Sequence, residues 1–417
     1  MNRIGTALTV STLMISPALA PGSSPGPTPA ACQWPLDSSH LDAQKAWALS
    51  QGDGVTVAVI DTGVDAGDPD LHGRILPGED LTGQSADGRV DTSSDSHGTS
   101  VAAIIAGNGG PADGSANGPA AIAGLAAQSS ILPVRVATTN GTAITPLALS
   151  EGIAFAVRHG AGVINISITT DISNPEVSDA VSYAISHDVV VVAAAGNEGA
   201  AANPVMYPAA LPGVVAVAGT TRANSRWPLS ESGSYITLAA PAEGICSLSD
   251  SGGAFTASGT SYSAPFVAAT AALLRSRYPH ESAAQIITRL IATATAPSST
   301  TNQTAASGRG IVDPAKALTA PEPTATTNPL LSRPAPTPEP NAATAKSRTA
   351  GSTSSSRNSV IAVISGMVLA VVVALFGGLW AYRRWSHKQK QRREEELRQI
   401  LLRQRKQQRR KQRRGSV

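Results

Sequence analysis

Five stretches of this chain are apolar at nearly every position and rich in β-branched residues. They read VTVAVI (55–60), ILPVRV (131–136), VINISI (163–168), VVVVAAA (189–195) and VVAVAGT (214–220). A strand with one wet face alternates apolar and polar residues, whereas a run without alternation is buried on both faces. Helix patterns made of small residues cover 99–106, 146–159, 176–187 and 263–277. Strands and helices in alternation imply a doubly wound α/β domain, a mostly parallel sheet with helices on both faces. Residues 36–318 hold these patterns, enough chain for an ample core, with no internal repeat.

The flanks read differently. Residues 1–20 carry Arg3, a mildly apolar stretch and the Ala18-Leu19-Ala20 triplet, the pattern of a secretory signal peptide. Pro21 follows that triplet, so a cut after Ala18 is the alternative. Residues 21–35 form an N-terminal extension. Residues 319–359 are rich in Pro, Ala, Thr and Ser without apolar periodicity, which reads as an extended linker. Residues 360–382 are uncharged and long enough for one C-terminal transmembrane helix, with Trp380 and Tyr382 at one end. Residues 383–417 form a basic tail. Positive charge beside the span places that tail in the cytoplasm and the α/β domain outside, on a cell membrane.

Charge follows the same division. Fifteen of the 32 basic residues and three of the 29 acidic ones lie after Tyr382, so the remainder carries 17 basic and 26 acidic, a net of −9. Nucleic acid is therefore not expected as a partner of the main body. The tail has the composition to lie on anionic lipid, and a solvated tail is the plain alternative. The cysteines are Cys32 and Cys246, a pair that permits one disulfide in an exported protein.

Ligands in open α/β sheets gather beyond the carboxyl ends of the strands. Asp61 ends the first run, in VAVIDTGVD; His97 precedes a small-residue helix, in SHGTSVAAIIAG; Asn197 follows the fourth run, in AAAGNEG. Ser261 stands in ASGTSYSAPFVAATAALL, just before Pro265. Proline is tolerated in a helix's first turn, so a helix start falls within a few residues before it. Ser261 then lies at a helix N-terminus, Ser263 reads as the cap and Ser258 as a turn residue. Singly, each of these polar residues has a commoner structural use. In this order they supply an orienting carboxylate, a base, an oxyanion donor and a nucleophile. Asp61-Thr62-Gly63 also resembles an aspartic-peptidase loop, with Asp250-Ser251-Gly252 as a second copy. That reading needs an all-β, two-lobed chain, which the helix patterns oppose. No histidine has a Cys or Glu at metal-ligand spacing, and no cofactor is implied. The acidic cluster Asp65/Asp68/Asp70 has the chemistry for a structural calcium, though acidic turns are the commoner use of such residues.

These motifs, with ILPVRV and GRGIVDPAKAL, resemble the subtilisin-like serine peptidases over about residues 46–318. The order Asp, His, Ser is itself the one known for subtilisin. The resemblance implies Asp61 as orienter, His97 as general base and acid, and Ser261 as nucleophile. The oxyanion hole would be the Asn197 side chain and the Ser261 N–H, and the substrate a protein or peptide. Ser100 stands where the family usually has a second histidine, and Ser167-Ile168-Thr169-Thr170 where it often has Gly-Gly after the serine. The short stretch before Asp61, the stalk and the span look like the mycosins, membrane-anchored subtilases of type VII secretion systems. That likeness implies an extension wrapped on the domain by a Cys32–Cys246 disulfide, and a secretion membrane complex as partner. The rival function is a structural component that steadies such a complex without cleaving anything.

Overall fold

In the computed structural model, residues 31–109, 122–138, 144–248, 254–298 and 303–333 are described. The signal segment 1–20, most of the extension, the linker beyond 333, the 360–382 span and the 383–417 tail lie outside these residues. Among the described residues no helix is long and apolar enough to cross a membrane.

The strands are β1 (Thr56–Asp61), β2 (Glu79–Asp80), β3 (Ser130–Arg135), β4 (Val163–Ile166), β5 (Val190–Ala194), β6 (Val215–Thr220), β7 (Leu238–Pro241), β8 (Ile245–Leu248) and β9 (Ala254–Ala257). The helices are α1 (Ala43–Trp47), α2 (His97–Ala106), α3 (Pro146–Arg158), α4 (Pro175–Ser186), α5 (Thr260–Arg277), α6 (Ala283–Thr293), α7 (Gln303–Ser307) and α8 (Pro314–Thr319). Strands β2-β3-β1-β4-β5-β6-β7 form one sheet in that order, and β8 and β9 pair separately and antiparallel. Every neighbouring pair in the large sheet is parallel. All five apolar runs are therefore central strands, displaced by no more than two residues from the expected bounds.

Burial on both faces explains the missing alternation. In β1, Val57 and Val59 pack with Val101, Ile104 and Val267 in one layer, while Ala58 and Ile60 pack with Ile153 and Val181 in the other. Helices α2 and α5 belong to the first layer, α3 and α4 to the second. Two of these helices start as their residues dictate. Thr145 and Asn174 accept N–H bonds at the starts of α3 and α4, each followed by proline at the first turn.

Helix α5 departs from expectation. It begins at Thr260, five residues before Pro265, and Ser263 does not cap it. Proline lacks the N–H that would bond the Ser261 carbonyl four residues back. That carbonyl accepts from Ser167 Oγ instead, at 2.8 Å. With the orphaned acceptor satisfied, the helix runs on toward its N-terminus past the expected start. Ser263 Oγ donates to the Pro241 carbonyl (3.0 Å), tying α5 to the end of β7. Ser258 keeps its turn role, accepting from Gly244 N at 2.9 Å.

Both ends of the described chain are fastened down. A disulfide joins Cys32 to Cys246 on β8, with Cα atoms 5.0 Å apart. Beside it the buried Trp34 donates its indole N–H to Glu243 O, and Gln33 Nε2 donates to Ala123 O. Residues 320–333, part of the expected linker, lie against the domain. Asn328 Nδ2 donates to Gly213 O at 2.9 Å, and the Arg333 guanidinium donates to Tyr235 O and Val214 O. These anchors grip main-chain carbonyls, a contact that Pro-rich composition does not disclose.

Candidate active site

Strand β1 ends in Asp61 and α2 begins with His97, both at the carboxyl edge of the sheet. The two side chains meet directly, with His97 Nδ1 and Asp61 Oδ1 2.7 Å apart. Asp61 is fully buried, and it also accepts from Thr62 N at 2.8 Å. The carboxylate acceptor assigns the proton to Nδ1 and leaves Nε2 free to accept. Helix α2 comes this close because residue 98 is glycine: a Cβ there would lie 2.1 Å from Gly63 O.

A polar network fixes this corner. Asp91 Oδ1 accepts from Thr62 Oγ1 (3.0 Å) and from Ser93 Oγ (2.7 Å). Its Oδ2 accepts from Thr99 N (3.0 Å) and Thr99 Oγ1 (2.8 Å). Ser93 Oγ accepts from His97 N, and Thr62 Oγ1 from Gly98 N. Burial alone pushes the His97 imidazole down. The charge and hydrogen bond of Asp61, with the charges of Asp95 and Asp91, outweigh burial and hold it above its usual value.

The second corner joins the turn after β5 to the start of α5. Thr260 N donates to Asn197 Oδ1 at 2.9 Å, and Thr260 Oγ1 lies 3.0 Å from the same oxygen. Gly196 N donates to Thr260 Oγ1 at 3.0 Å. With its oxygen held, the Asn197 amide presents Nδ2 on the other side. Gly259 locates where: a Cβ built on it would lie 3.1 Å from Ser261 Oγ and 3.5 Å from Asn197 Nδ2. One point beside Gly259 thus lies within 3.5 Å of both a hydroxyl and an amide donor. Ser261 is the second residue of α5, so its N–H has no intrahelical acceptor and sits at the positive end of the helix dipole. The two corners touch through rings: His97 meets Tyr262 edge-on, centroids 5.5 Å apart.

The structure therefore brings Asp61 to His97, Asn197 to Ser261, and His97 to the residue following Ser261. Ser100, in the place of a second histidine, accepts from Leu248 N at 2.8 Å and serves packing between α2 and β8. Thr170, beyond β4, pairs with Tyr207, so the four residues from Ser167 end in a backbone bridge. Of the alternative aspartic pair, Asp250 lies outside the described residues, and the parallel sheet is not the all-β frame that reading needs. Asp65 and Asp68 accept from backbone N–H groups within their own turns, and Asp70 accepts from Ile122 N. Among the described residues no group of three or more His, Cys, Asp or Glu is arranged to hold a metal ion. Sequence reasoning missed Asp91 and Thr260. Thr260 sits inside the Ser261 motif, but its partner Asn197 lies 63 residues away. Asp91 lies just before the His97 motif, and its partner Thr62 is 29 residues away.

Residues 52–314 match the Subtilase family of peptidases. The chain belongs to that family. It is 36% identical over 237 residues to thermitase of Thermoactinomyces vulgaris, a match covering 57% of this chain and 80% of thermitase. It is 33% identical over 361 residues to mycosin-1 of Mycobacterium tuberculosis, covering 74% of this subtilase and 76% of mycosin-1. A solved structure of MycP1, described as a serine protease and an essential component of the type VII (ESX-1) secretion system, is similar with a TM-score of 0.57. That likeness is 31% in sequence and covers 74% of this chain and 99% of MycP1. This subtilase is a serine endopeptidase like the mycosins.

Proposed function

We propose that the chain hydrolyses peptide bonds through Asp61, His97 and Ser261, with Asn197 Nδ2 and the Ser261 N–H as oxyanion donors. The observation that carries this reading is that Ser261 Oγ and Asn197 Nδ2 converge on one point beside Gly259, at 3.1 and 3.5 Å. A peptide carbonyl there is attacked by Ser261 Oγ. His97 Nε2 takes the hydroxyl proton and later gives it to the leaving amine. Asp61 stays ionised, fixes the ring through Nδ1 and stabilises the imidazolium. The carbonyl oxygen, as it becomes an oxyanion, is met by donors already in place. Water then attacks the acyl-enzyme by the same route in reverse.

The reading extends to place. A signal segment, a Pro-rich stalk, an apolar 360–382 segment and a basic tail support a domain held outside the cell membrane by one span. Likeness to mycosin-1 and MycP1 supports work beside a type VII secretion complex. The test of the chemistry is labelling by a fluorophosphonate probe. Wild type is expected to label and Ser261→Ala to lose the label; equal labelling of both removes Ser261 as nucleophile.

A further inference from the structure

Asn197 is exposed and stands on a turn, yet an oxyanion donor has to be in place before the reaction begins. Thr260 holds its side-chain oxygen. The peptide groups on either side of Asn197 both bond one residue far along the chain, Glu231, and the Gly196 carbonyl also accepts from Thr260 Oγ1 at 3.2 Å. Glu198 N donates to Glu231 Oε1 at 2.7 Å. Glu231 N donates to Gly196 O at 3.2 Å. The side chain thus takes the residue after Asn197, and the main chain takes the residue before it.

We propose that Glu231 is the positioning residue of the oxyanion hole, clamping the backbone on both sides of Asn197 so that Nδ2 faces the reacting carbonyl. The proposal rests on the mechanism given above.

Three observations support a built clamp over incidental packing. Glu231 is fully buried, a placement that carboxylates avoid unless bonded. Gly196 is shaped to it: φ there is +110°, and a Cβ would lie 2.6 Å from Glu231 Oε2. The segment carrying Glu231 is anchored in turn, since Gly219 N on β6 donates to Ser230 Oγ at 2.9 Å. Among the described residues Oε2 has no hydrogen-bond partner, so the carboxyl has one oxygen for the clamp and one for a proton. The charged or titratable groups facing it are Glu198 on the Asn197 turn, Arg226 on the turn before it, and Tyr235 beyond it. Burial first, then the Glu198 carboxylate, push Glu231 up to about 7, against the Glu198 N–H bond, a backbone bond of its own and Arg226. Protonated or not, Oε1 can accept from Glu198 N, and glutamine retains that acceptor.

The test uses the purified full-length chain, with near-UV circular dichroism confirming a folded state for Glu231→Ala and Glu231→Gln. Amide exchange at Glu198 is read first. It should quicken about tenfold or more in the alanine variant, because a bond to an ionisable acceptor is lost, and stay near wild type in the glutamine variant. Unchanged exchange in Glu231→Ala overturns the clamp whatever the protein cleaves. Peptide hydrolysis is read second, alone and combined with Asn197→Ala. Glu231→Ala should lower kcat by roughly 10- to 100-fold with KM nearly unmoved, and Glu231→Gln should recover most of that loss. In the Asn197→Ala background the alanine substitution should add little; a full multiplicative loss there places its action elsewhere and overturns the proposal. Turnover that survives Ser261→Ala breaks the mechanism, while the exchange measurement still decides the clamp.

Discussion

The Asp61–His97 corner and the Asn197–Ser261 corner lie at the same edge of one sheet, but they are held by different means. Carboxyl groups order the first: Asp61 bonds the ring, and Asp91 gathers Thr62, Ser93 and Thr99 around the start of α2. Neutral groups order the second, where Thr260 holds Asn197 through a backbone N–H and a hydroxyl. The proposed chemistry accounts for the contrast. A base that becomes a cation benefits from nearby negative charge, whereas a donor awaiting an oxyanion is weakened by it. Glu231 is the exception, a carboxyl beneath the second corner that burial keeps from ionising readily.

The largest effect that tests this contrast is at Asp61. Asp61→Asn should lower kcat by on the order of 10⁴, a magnitude set by other serine peptidases, because the ring loses its tautomer and its counter-charge. The neutral imidazole is the working form, so kcat/KM falls as pH drops through the His97 value, which in wild type lies above the ordinary 6.5. Without the carboxylate, burial dominates, and the midpoint of the acid limb should move to lower pH. A midpoint that stays put means the Asp61 charge does not tune His97.

At the second corner, Asn197→Ala should cost roughly 10²–10³ in kcat. Its acid limb should coincide with that of wild type, because no charge has been removed. A shifted limb would show that the corners are electrostatically coupled, and the contrast would fail.

The smallest effect concerns stability. Glu231 moves from 4.5 to about 7 on folding, so across that window the native state holds more protons than the unfolded chain. Stability contributed by the neutral carboxyl is then lost as pH rises through the window. Glu231→Gln removes this loss. Between pH 4 and pH 8 its unfolding free energy relative to wild type should rise by on the order of 3 kcal/mol, measured by chemical denaturation. A difference that does not vary with pH would mean that folding does not shift the Glu231 pKa.

Much of the frame was legible because two-sided burial leaves a mark in the sequence, as in Val57 to Ile60 facing two layers. Asp61, His97, Asn197 and Ser261 stood out as candidates because each lies at or near the end of an element, in this order along the chain. The residues that hold them did not. Asp91 and Glu231 lie in polar turns like many others, and their meaning appears once Thr62 Oγ1 reaches the first and Glu198 N the second. The start of α5 was misjudged for the same reason: the partner of the Ser261 carbonyl lies 94 residues away in sequence. Residues 320–333 looked like a tether, yet Asn328 and Arg333 bind carbonyls that composition cannot reveal.

The disulfide has a consequence of another kind. Its cysteines are 214 residues apart, and the stretch they enclose contains Asp61, His97 and Asn197. An endopeptidase is exposed to its own copies. One cut anywhere in that stretch leaves both pieces covalently linked, so a nicked molecule cannot shed the fragment that carries its base.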